Sequence, residues 1–185
     1  ITDHLSSLLF CPTPTAINNL KKEKIQNGVV LSGDIMFDCY LNFKKYIPNY
    51  NRFFSGKYIL TTIHRKENLD SKQRLATIFS NLDLINEQIK ILMPLHPHTR
   101  NVLNEFNIKS KIDFIEPMGY LALLKSLDDC ELVITDSGGL QKEAYFARKK
   151  CLTVRSETEW TELTRGGFNI LSEPESIAVN LESLM

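Results

Sequence analysis

The sequence has no surplus of charge of either sign. Its 185 residues include 22 Lys and Arg against 22 Asp and Glu. Proteins that bind nucleic acid or another polyanion normally carry a basic excess. No run of about 18 apolar residues occurs either, and a membrane-spanning helix needs one. The composition therefore predicts a partner that is neither nucleic acid nor membrane.

Cysteine is scarce, and no two cysteines have the CxxC spacing. The four are Cys11, Cys39, Cys130 and Cys151, and all but Cys39 lie in or beside an apolar run. Free cysteine is among the most buried residue types, and disulfides are rare in the cytosol. The pattern favours reduced, buried thiols in a cytoplasmic protein over a disulfide framework or a metal site.

The sequence does not begin with methionine. It opens with Ile1, and the amphipathic stub ITDHLSS runs directly into an apolar strand pattern. We therefore expect that an N-terminal part of the parent protein precedes this chain.

Short apolar runs alternate with amphipathic stretches along the whole chain. Short, often β-branched runs are typical of strands that are buried on both faces. The predicted strands are Ser7–Cys11, Val29–Ser32, Tyr58–Ile63, Ile89–Pro94, Ile112–Ile115, Leu132–Thr135, Cys151–Val154 and Phe168–Leu171. The predicted helices are Pro14–Glu23, Asp34–Tyr46, Ser71–Asn86, His98–Phe106, Tyr120–Leu127, Leu140–Ala147 and Pro174–Leu184. This alternation predicts an α/β fold, a Rossmann-like parallel sheet with helices on both faces.

One segment, Ile47–Lys57, has the proline, asparagine and glycine content of a linker. It predicts an interdomain segment over residues 1–55 and a main domain over residues 56–185. Ligands of such sheets bind outside the carboxyl ends of the strands. The residues that directly follow each strand are therefore the candidates for a functional site.

The most specific motif is TDSGGLQKE, which follows the strand Leu132–Thr135 and opens a helix. Gly138 and Gly139 let the backbone approach a ligand closely, and the helix N-terminus favours an anion such as phosphate. Ser137 is expected either to cap the helix or to bond a phosphate oxygen. Glu143 lies one turn into the helix, where its carboxylate suits a pair of vicinal hydroxyls. The alternative is a plain helix cap with glycines that serve packing.

The second motif, TIHRKEN, also follows a strand. His64 and Arg65 gather donors and positive charge there, which suits a pyrophosphate. His64 is also able to transfer a proton. The alternative is a solvated loop in which Arg65 pairs with Glu67.

Two further strand ends carry polar or aromatic residues. His96, framed by prolines, is a candidate ligand contact, and no acid or cysteine nearby completes a metal site with His98. Arg155 follows the strand Cys151–Val154, and either a phosphate or Glu157 or Glu159 is its expected partner. Trp160 is expected either to cover the core or to lie at the same strand end.

These motifs resemble those of the non-hydrolysing UDP-N-acetylglucosamine 2-epimerases. The matching stretches are LLFCPTPTAINNL, SGDIMFD, TTIHRKEN, PLHPHTR, IEPMGYLALLKSL, TDSGGLQKEA and VRSETEWTEL. The resemblance implies two Rossmann-like domains arranged as in GT-B glycosyltransferases, of which this chain matches roughly the second half. It also implies anti elimination of UDP to a 2-acetamidoglucal followed by re-addition, with neither a metal nor a nicotinamide cofactor.

The resemblance assigns roles residue by residue. It makes His64 the catalytic histidine beside the diphosphate and Glu143 the ribose contact. Ser137, Gly138 and Gly139 match the diphosphate loop, and Met118 and Leu123 match the uracil and ribose pocket. Arg65 and His96 match positions near the substrate or near a regulatory sugar nucleotide. Trp160 departs from the family, because some members have an arginine there.

The predicted ligand is UDP-N-acetylglucosamine or UDP, and the parent function is epimerisation to UDP-N-acetylmannosamine for surface polysaccharide synthesis. The resemblance implies a homodimer for the full-length enzyme and an inactive fragment, because the carboxylates for C2 proton chemistry belong to the other domain. The alternatives are an epimerase for another UDP-2-acetamido sugar, a hydrolysing epimerase, a GT-B glycosyltransferase donor domain and a UDP-binding module without chemistry.

Overall fold

A computed structural model describes residues 1–184, which divide into two compact units. The first unit is Ile1–Phe43, and the second begins at Lys44. The domain boundary expected at residues 55 and 56 stays a prediction.

The first unit is built around a short parallel pair of strands. Its elements are α1 (Thr2–Leu5), β1 (Leu9–Cys11), α2 (Pro14–Lys22), β2 (Val29–Leu31) and α3 (Ile35–Lys44), whose last residue is the first of the second unit. β1 pairs with β2 so that Leu9 lies opposite Val29. Thr13 caps α2 by accepting a 3.3 Å hydrogen bond from the Ala16 amide, and Pro14 occupies the first turn.

The second unit alternates strands and helices. Its strands are β3 (Tyr58–Thr62), β4 (Lys90–Pro94), β5 (Phe114–Ile115), β6 (Leu132–Thr135), β7 (Cys151–Thr153) and β8 (Asn169–Leu171). Its α-helices are α4 (Lys66–Leu69), α5 (Lys72–Asn86), α6 (Pro97–Glu105), α7 (Tyr120–Asp129), α8 (Gly138–Phe146), α9 (Thr161–Arg165) and α10 (Ile177–Leu184). Single 3-10 turns occupy Ile47–Asn49 and Pro174–Ser176.

The six strands of the second unit form one parallel sheet in the order β5-β4-β3-β6-β7-β8. Counted within the unit, this is the 3-2-1-4-5-6 order of a doubly wound sheet. The α/β, Rossmann-like prediction is therefore confirmed. The strand order reverses between β3 and β6, and the crevice at that reversal is where such sheets bind ligands.

Helix α5 shows how the sheet is covered. Its apolar side faces the core, since Leu75, Ile78, Leu82 and Ile85 are all buried and recur at steps of three and four, as one stripe of a helix does. The stripe joins Ile59 and residues of neighbouring strands in one core cluster. Burial of each such side chain stabilises the folded state by roughly 1.5–3 kcal/mol. The packing of α5 therefore holds the strands of the sheet in place.

Three helices, α1, α4 and α9, lie in segments that the sequence predicted as loops or left unassigned. Each is four or five residues long, too short to show an apolar period. The predicted helix Pro174–Leu184 is divided, because its first three residues form a 3-10 turn before α10.

The cysteine prediction is confirmed for burial. Cys11, Cys130 and Cys151 are buried, whereas Cys39 is exposed. Burial raises the pKa of the Cys130 and Cys151 thiols to about 12 in each case. Across residues 1–184, no helix combines the length and hydropathy that a membrane span requires.

Candidate functional site

The carboxyl ends of β3 and β6 meet at the reversal of the sheet. Thr62 lies opposite Thr135, and their hydroxyl oxygens are 2.6 Å apart. The next amide, that of Asp136, donates a 3.3 Å hydrogen bond to the Thr62 carbonyl oxygen. The two motifs predicted from sequence, TIHRKEN and TDSGG, therefore leave the sheet side by side.

Asp136 ties the two motifs together. Its carboxylate is fully buried and accepts hydrogen bonds from the backbone amides of His64 and Arg65, at 3.0 and 2.8 Å. The Asn68 side-chain amide donates a third, at 2.9 Å. The His64 Nδ1 atom lies 3.3 Å from the other carboxylate oxygen. A buried charge is tolerated when donors surround it in this way, so the loop that carries His64 is held from β6.

Helix α8 begins at the same edge, and Ser137 is its N-cap. The Ser137 hydroxyl oxygen accepts a 3.3 Å hydrogen bond from the Leu140 amide, and its own amide donates to the Thr135 hydroxyl. The capping role that the sequence left open is therefore present. Capping uses an oxygen lone pair, so the hydroxyl proton is still able to donate to a phosphate.

Glu143 lies one turn into α8, and its side chain is only 8% exposed. Burial raises the pKa of its carboxyl group, while a hydrogen bond to the Tyr120 side chain and the charge of Lys142 act in the opposite direction. Tyr120 is the first residue of α7, so this bond joins two helices beside the sheet edge. The Glu143 carboxyl group is therefore held in position at the border of a cavity.

That cavity has a volume of about 340 Å³ and opens at the strand ends. Seven of the nine residues predicted as catalytic or nucleotide contacts line it: His64, His96, Met118, Leu123, Ser137, Gly139 and Glu143. Thr62, Ile63, Pro94, Pro117 and Leu140 complete the lining. Its walls combine an apolar side with a few polar groups, which is the usual composition of a small-molecule site.

Arg65 and Gly138, the other two predicted residues, lie beside the cavity. The Arg65 guanidinium is 3.9 Å from Glu159 rather than paired with Glu67. A Cβ atom built on Gly138 would overlap the Glu159 carboxylate. Gly138 is therefore small because Glu159 packs on it, a reason that the sequence did not reveal.

Glu159 is held chiefly by Arg155, the buried arginine that follows β7. Arg155 donates a 2.7 Å hydrogen bond to Glu159, and its Nε atom is 3.7 Å from Glu67. Partial burial raises the pKa of Glu159, but its own backbone amide and the two arginines outweigh that effect and leave the pKa below its usual value. Two guanidinium groups and two carboxylates thus cluster behind the start of α8.

Trp160 also contacts the start of α8. Its indole Nε1 donates a 3.0 Å hydrogen bond to the Gly138 carbonyl oxygen, and its ring lies 3.9 Å from the Lys142 ammonium group. The residue is half-buried at this strand end, so it supports the TDSGG loop rather than the sheet core.

His96 is the N-cap of α6. Its Nδ1 atom accepts a 3.2 Å hydrogen bond from the His98 amide. His96 and His64 thus reach one cavity from neighbouring strands, β4 and β3. No group of three His, Cys, Asp or Glu side chains within residues 1–184 has the arrangement of a metal site.

Sequence reasoning missed Asp136, Tyr120 and Thr62 as parts of the site. Asp136 was visible inside the TDSGG motif, but its partners directly after β3 and on α4 are about seventy residues earlier in the chain, as the separations of these bonds show. Only the strand order brings them together. Tyr120 carried no signal, because the approach of α7 to α8 cannot be read from local sequence.

A doubly wound sheet with a cavity at its point of reversal defines a Rossmann-like α/β domain. The family model described as UDP-N-acetylglucosamine 2-epimerase matches residues 1–185. The chain belongs to the UDP-N-acetylglucosamine 2-epimerase family.

Individual relatives agree with this family. A UDP-N-acetylglucosamine 2-epimerase homolog from Methanococcus maripaludis is 41% identical over 98% of this chain and 54% of its own length. The UDP-2,3-diacetamido-2,3-dideoxy-D-glucuronate 2-epimerase of Pseudomonas aeruginosa is 42% identical over 92% of this chain and 50% of its own. The structure of Methanocaldococcus jannaschii UDP-GlcNAc 2-epimerase in complex with UDP-GlcNAc and UDP has a TM-score of 0.87 at 35% identity, over 99% of this chain and 55% of that one. The chain spans about half the length of the relatives that it matches.

Proposed function

We propose that this chain is the UDP-binding half of an enzyme that interconverts UDP-N-acetylglucosamine and UDP-N-acetylmannosamine. The single observation that carries the proposal is the convergence of His64, Ser137 and Glu143 on one cavity at the sheet reversal. The family is described by a UDP-linked sugar, and a relative of known structure is in complex with UDP-GlcNAc and UDP.

In this proposal UDP lies in the cavity in one direction. The N-terminus of α8 and the Ser137 hydroxyl offer donors and positive potential to the diphosphate. Glu143, when ionised, accepts hydrogen bonds from both ribose hydroxyls. Met118 and Leu123 give the cavity an apolar lining, which suits the uracil and ribose.

His64 is the chain's own candidate for catalysis. Its side chain is 46% exposed and lies beside the start of α8, where the diphosphate would sit. There it is placed to stabilise or protonate UDP as UDP leaves C1, and to act in the reverse direction when UDP re-adds. Loss of one well-placed group of this kind costs about a hundredfold or more in rate.

The remaining chemistry belongs to the rest of the parent protein in this proposal. The C2 proton is removed and returned by carboxylates of the other GT-B-like domain, without a metal or nicotinamide cofactor. The parent enzyme is a cytoplasmic homodimer that serves surface polysaccharide synthesis.

A second substrate has a specific observation in its favour. The P. aeruginosa 2-epimerase for a diacetamido-dideoxy-glucuronate nucleotide is as similar to this chain, at 42% identity, as the M. maripaludis homolog is at 41%. The acceptor-dependent glycosyltransferase alternative has no comparable support.

Nuclear magnetic resonance of the full-length protein in heavy water tests the proposal. UDP-N-acetylglucosamine alone should gain deuterium at C2 and form UDP-N-acetylmannosamine, whereas the 185-residue chain should give no exchange. Release of free N-acetylmannosamine would indicate a hydrolysing enzyme, and turnover only with an added sugar acceptor would indicate a transferase. Either result would overturn the proposal, as would turnover of the diacetamido-glucuronate nucleotide alone.

A further inference from the structure

Two histidines line the cavity, and their Nδ1 atoms have opposite kinds of partner. The Nδ1 atom of His64 lies 3.3 Å from a carboxylate oxygen of Asp136. The Nδ1 atom of His96 accepts a hydrogen bond from the His98 amide at 3.2 Å. A neutral imidazole carries its one proton on either Nδ1 or Nε2, and the partner of one nitrogen decides the state of the other.

The partner of His64 is an acceptor and cannot be a donor. The Asp136 carboxylate already accepts hydrogen bonds from two backbone amides and from the Asn68 amide, so all three of these partners are donors. A carboxylate beside Nδ1 favours a proton on that nitrogen. The Nε2 atom of neutral His64 is then unprotonated and presents a lone pair.

The partner of His96 is a donor. A backbone amide cannot release its proton, so the Nδ1 atom of His96 must accept, and the proton of the neutral ring lies on Nε2. Since His96 is the N-cap of α6, this hydrogen bond is part of the helix start. The arrangement fixes the ring independently of any ligand.

We propose that Asp136 is a positioning residue and that the two histidines of the cavity are held in opposite tautomers. His64, as the Nδ1–H form, offers Nε2 as a proton acceptor. His96, as the Nε2–H form, offers a hydrogen-bond donor. One histidine is thereby equipped to exchange a proton and the other to bind an oxygen atom of the ligand.

The roles of the two rings rest on the proposed function, but their tautomers do not. In the reaction, protonated His64 gives its Nε2 proton to the UDP oxygen as the C1–O bond breaks, which leaves the neutral Nδ1–H ring. Nε2 takes that proton back when UDP re-adds. Nε2–H of His96 binds an oxygen of the same sugar nucleotide without proton transfer. Asp136 does not line the cavity, so its effect on the proton transfer passes through His64.

Long-range proton–nitrogen correlation spectra of the ¹⁵N-labelled chain test the proposal directly. At about pH 8.5, where imidazoles are neutral, His64 should show the pattern of an Nδ1–H ring and His96 that of an Nε2–H ring. The variants His64→Gln and His96→Gln assign the two sets of signals. An Nε2–H pattern for His64, or an Nδ1–H pattern for His96, would overturn the proposal without any further variant.

Asp136→Asn isolates the positioning role. Its side-chain amide is able to donate to Nδ1, so the His64 pattern should change from predominantly Nδ1–H to predominantly Nε2–H. His96 serves as the internal control and should keep its pattern. If Asp136 served only to hold the backbone of residues 64 and 65, the His64 ring pattern would not change. If the variant does not fold, the wild-type spectrum still decides the matter.

Titration with UDP tests the tautomers of the two histidines and the proposed function separately. Binding should shift the Nε2 signals of both rings and leave their tautomers unchanged. Failure of UDP to bind would count against the proposed function and leave the tautomer assignment standing. Binding in which the His64 tautomer reverses would count against the positioning role and leave the proposed function standing.

Discussion

The indole Nε1 of Trp160 donates a 3.0 Å hydrogen bond to the carbonyl oxygen of Gly138. This bond joins the loop after β7 to the first residue of α8, whose amides form the proposed diphosphate site. A second bond, of 2.9 Å between the Thr158 hydroxyl and the Gln141 side chain, reinforces the connection. The loop that follows β7 therefore supports the phosphate-binding end of α8 from behind.

Replacing Trp160 by phenylalanine should weaken UDP without unfolding the chain. The ring is retained over Lys142, whereas the hydrogen bond to Gly138 is lost. A typical intramolecular hydrogen bond contributes about 0.5–1.5 kcal/mol, which corresponds to roughly a two- to twelvefold loss of affinity. Calorimetry with UDP and with uridine checks this expectation, since only the ligand with phosphates should be affected. An equal loss for uridine would show that Trp160 acts on the whole cavity.

Substitutions of Gly138 and Glu159 should have non-additive effects on the free energy of unfolding. In Gly138→Ala the new methyl group displaces the Glu159 carboxylate from Arg155. Because Glu159 is 44% exposed, we expect a loss of stability on the order of 1 kcal/mol rather than that of a buried pair. In the Glu159→Ala background the same glycine substitution should cost much less. Denaturant unfolding of the four proteins in this double-mutant cycle measures the coupling, and additive losses would contradict it.

How far the sequence predicts this site depends on the range of each contact. The eight strands and the sheet class follow from local periodicity and were predicted. The convergence of HRKEN and TDSGG required only that both follow strands of one parallel sheet. The packing of Glu159 on Gly138 and of Asp136 under His64 depends on strand order, because those partners are far apart in the chain.

The short elements were the least predictable. Helix α4 is a single turn inside the charged HRKEN segment, and its formation depends on burial of Asn68 and Leu69 against the body of the domain. No periodic pattern exists over four residues. The role of Arg155 likewise could not be decided from sequence, since Glu157, Glu159 and a phosphate were equal candidates before the structure placed Glu159 at 2.7 Å.

Glu143→Gln should weaken UDP by roughly tenfold or more. A hydrogen bond to a charged group contributes about 1.5–3 kcal/mol, and each 1.4 kcal/mol is a factor of ten. The affinity for 2′,3′-dideoxy-UDP should change much less, because its ribose lacks the partner hydroxyls. Calorimetry of both ligands with both proteins decides the matter. If the two ligands lost affinity equally, Glu143 would not bind the ribose hydroxyls.

The same variant should change how stability depends on pH. Burial raises the pKa of Glu143 in the folded chain, so ionisation is less favourable in the folded state than in the unfolded state. Protonated Glu143 therefore contributes to the free energy of unfolding. This contribution is fully present below the ordinary glutamate pKa of about 4.3 and is lost as pH rises through the pKa of Glu143 in the folded chain. Melting temperatures of both proteins from pH 4 to pH 8 test this. Relative to wild type, Glu143→Gln should gain stability as pH rises, and a constant or falling difference would contradict the prediction.

A titration of the ¹⁵N-labelled chain with UDP, followed residue by residue, tests most directly whether the cavity at the sheet reversal binds the nucleotide. We expect saturable binding with a Kd below about 1 mM, equivalent to about 4.1 kcal/mol. The largest amide shifts should fall on His64, Ser137, Gly139 and Glu143, which line the cavity at the sheet reversal. Saturable shifts confined to another surface, or no saturation at millimolar UDP, would contradict the claim that this cavity holds the nucleotide.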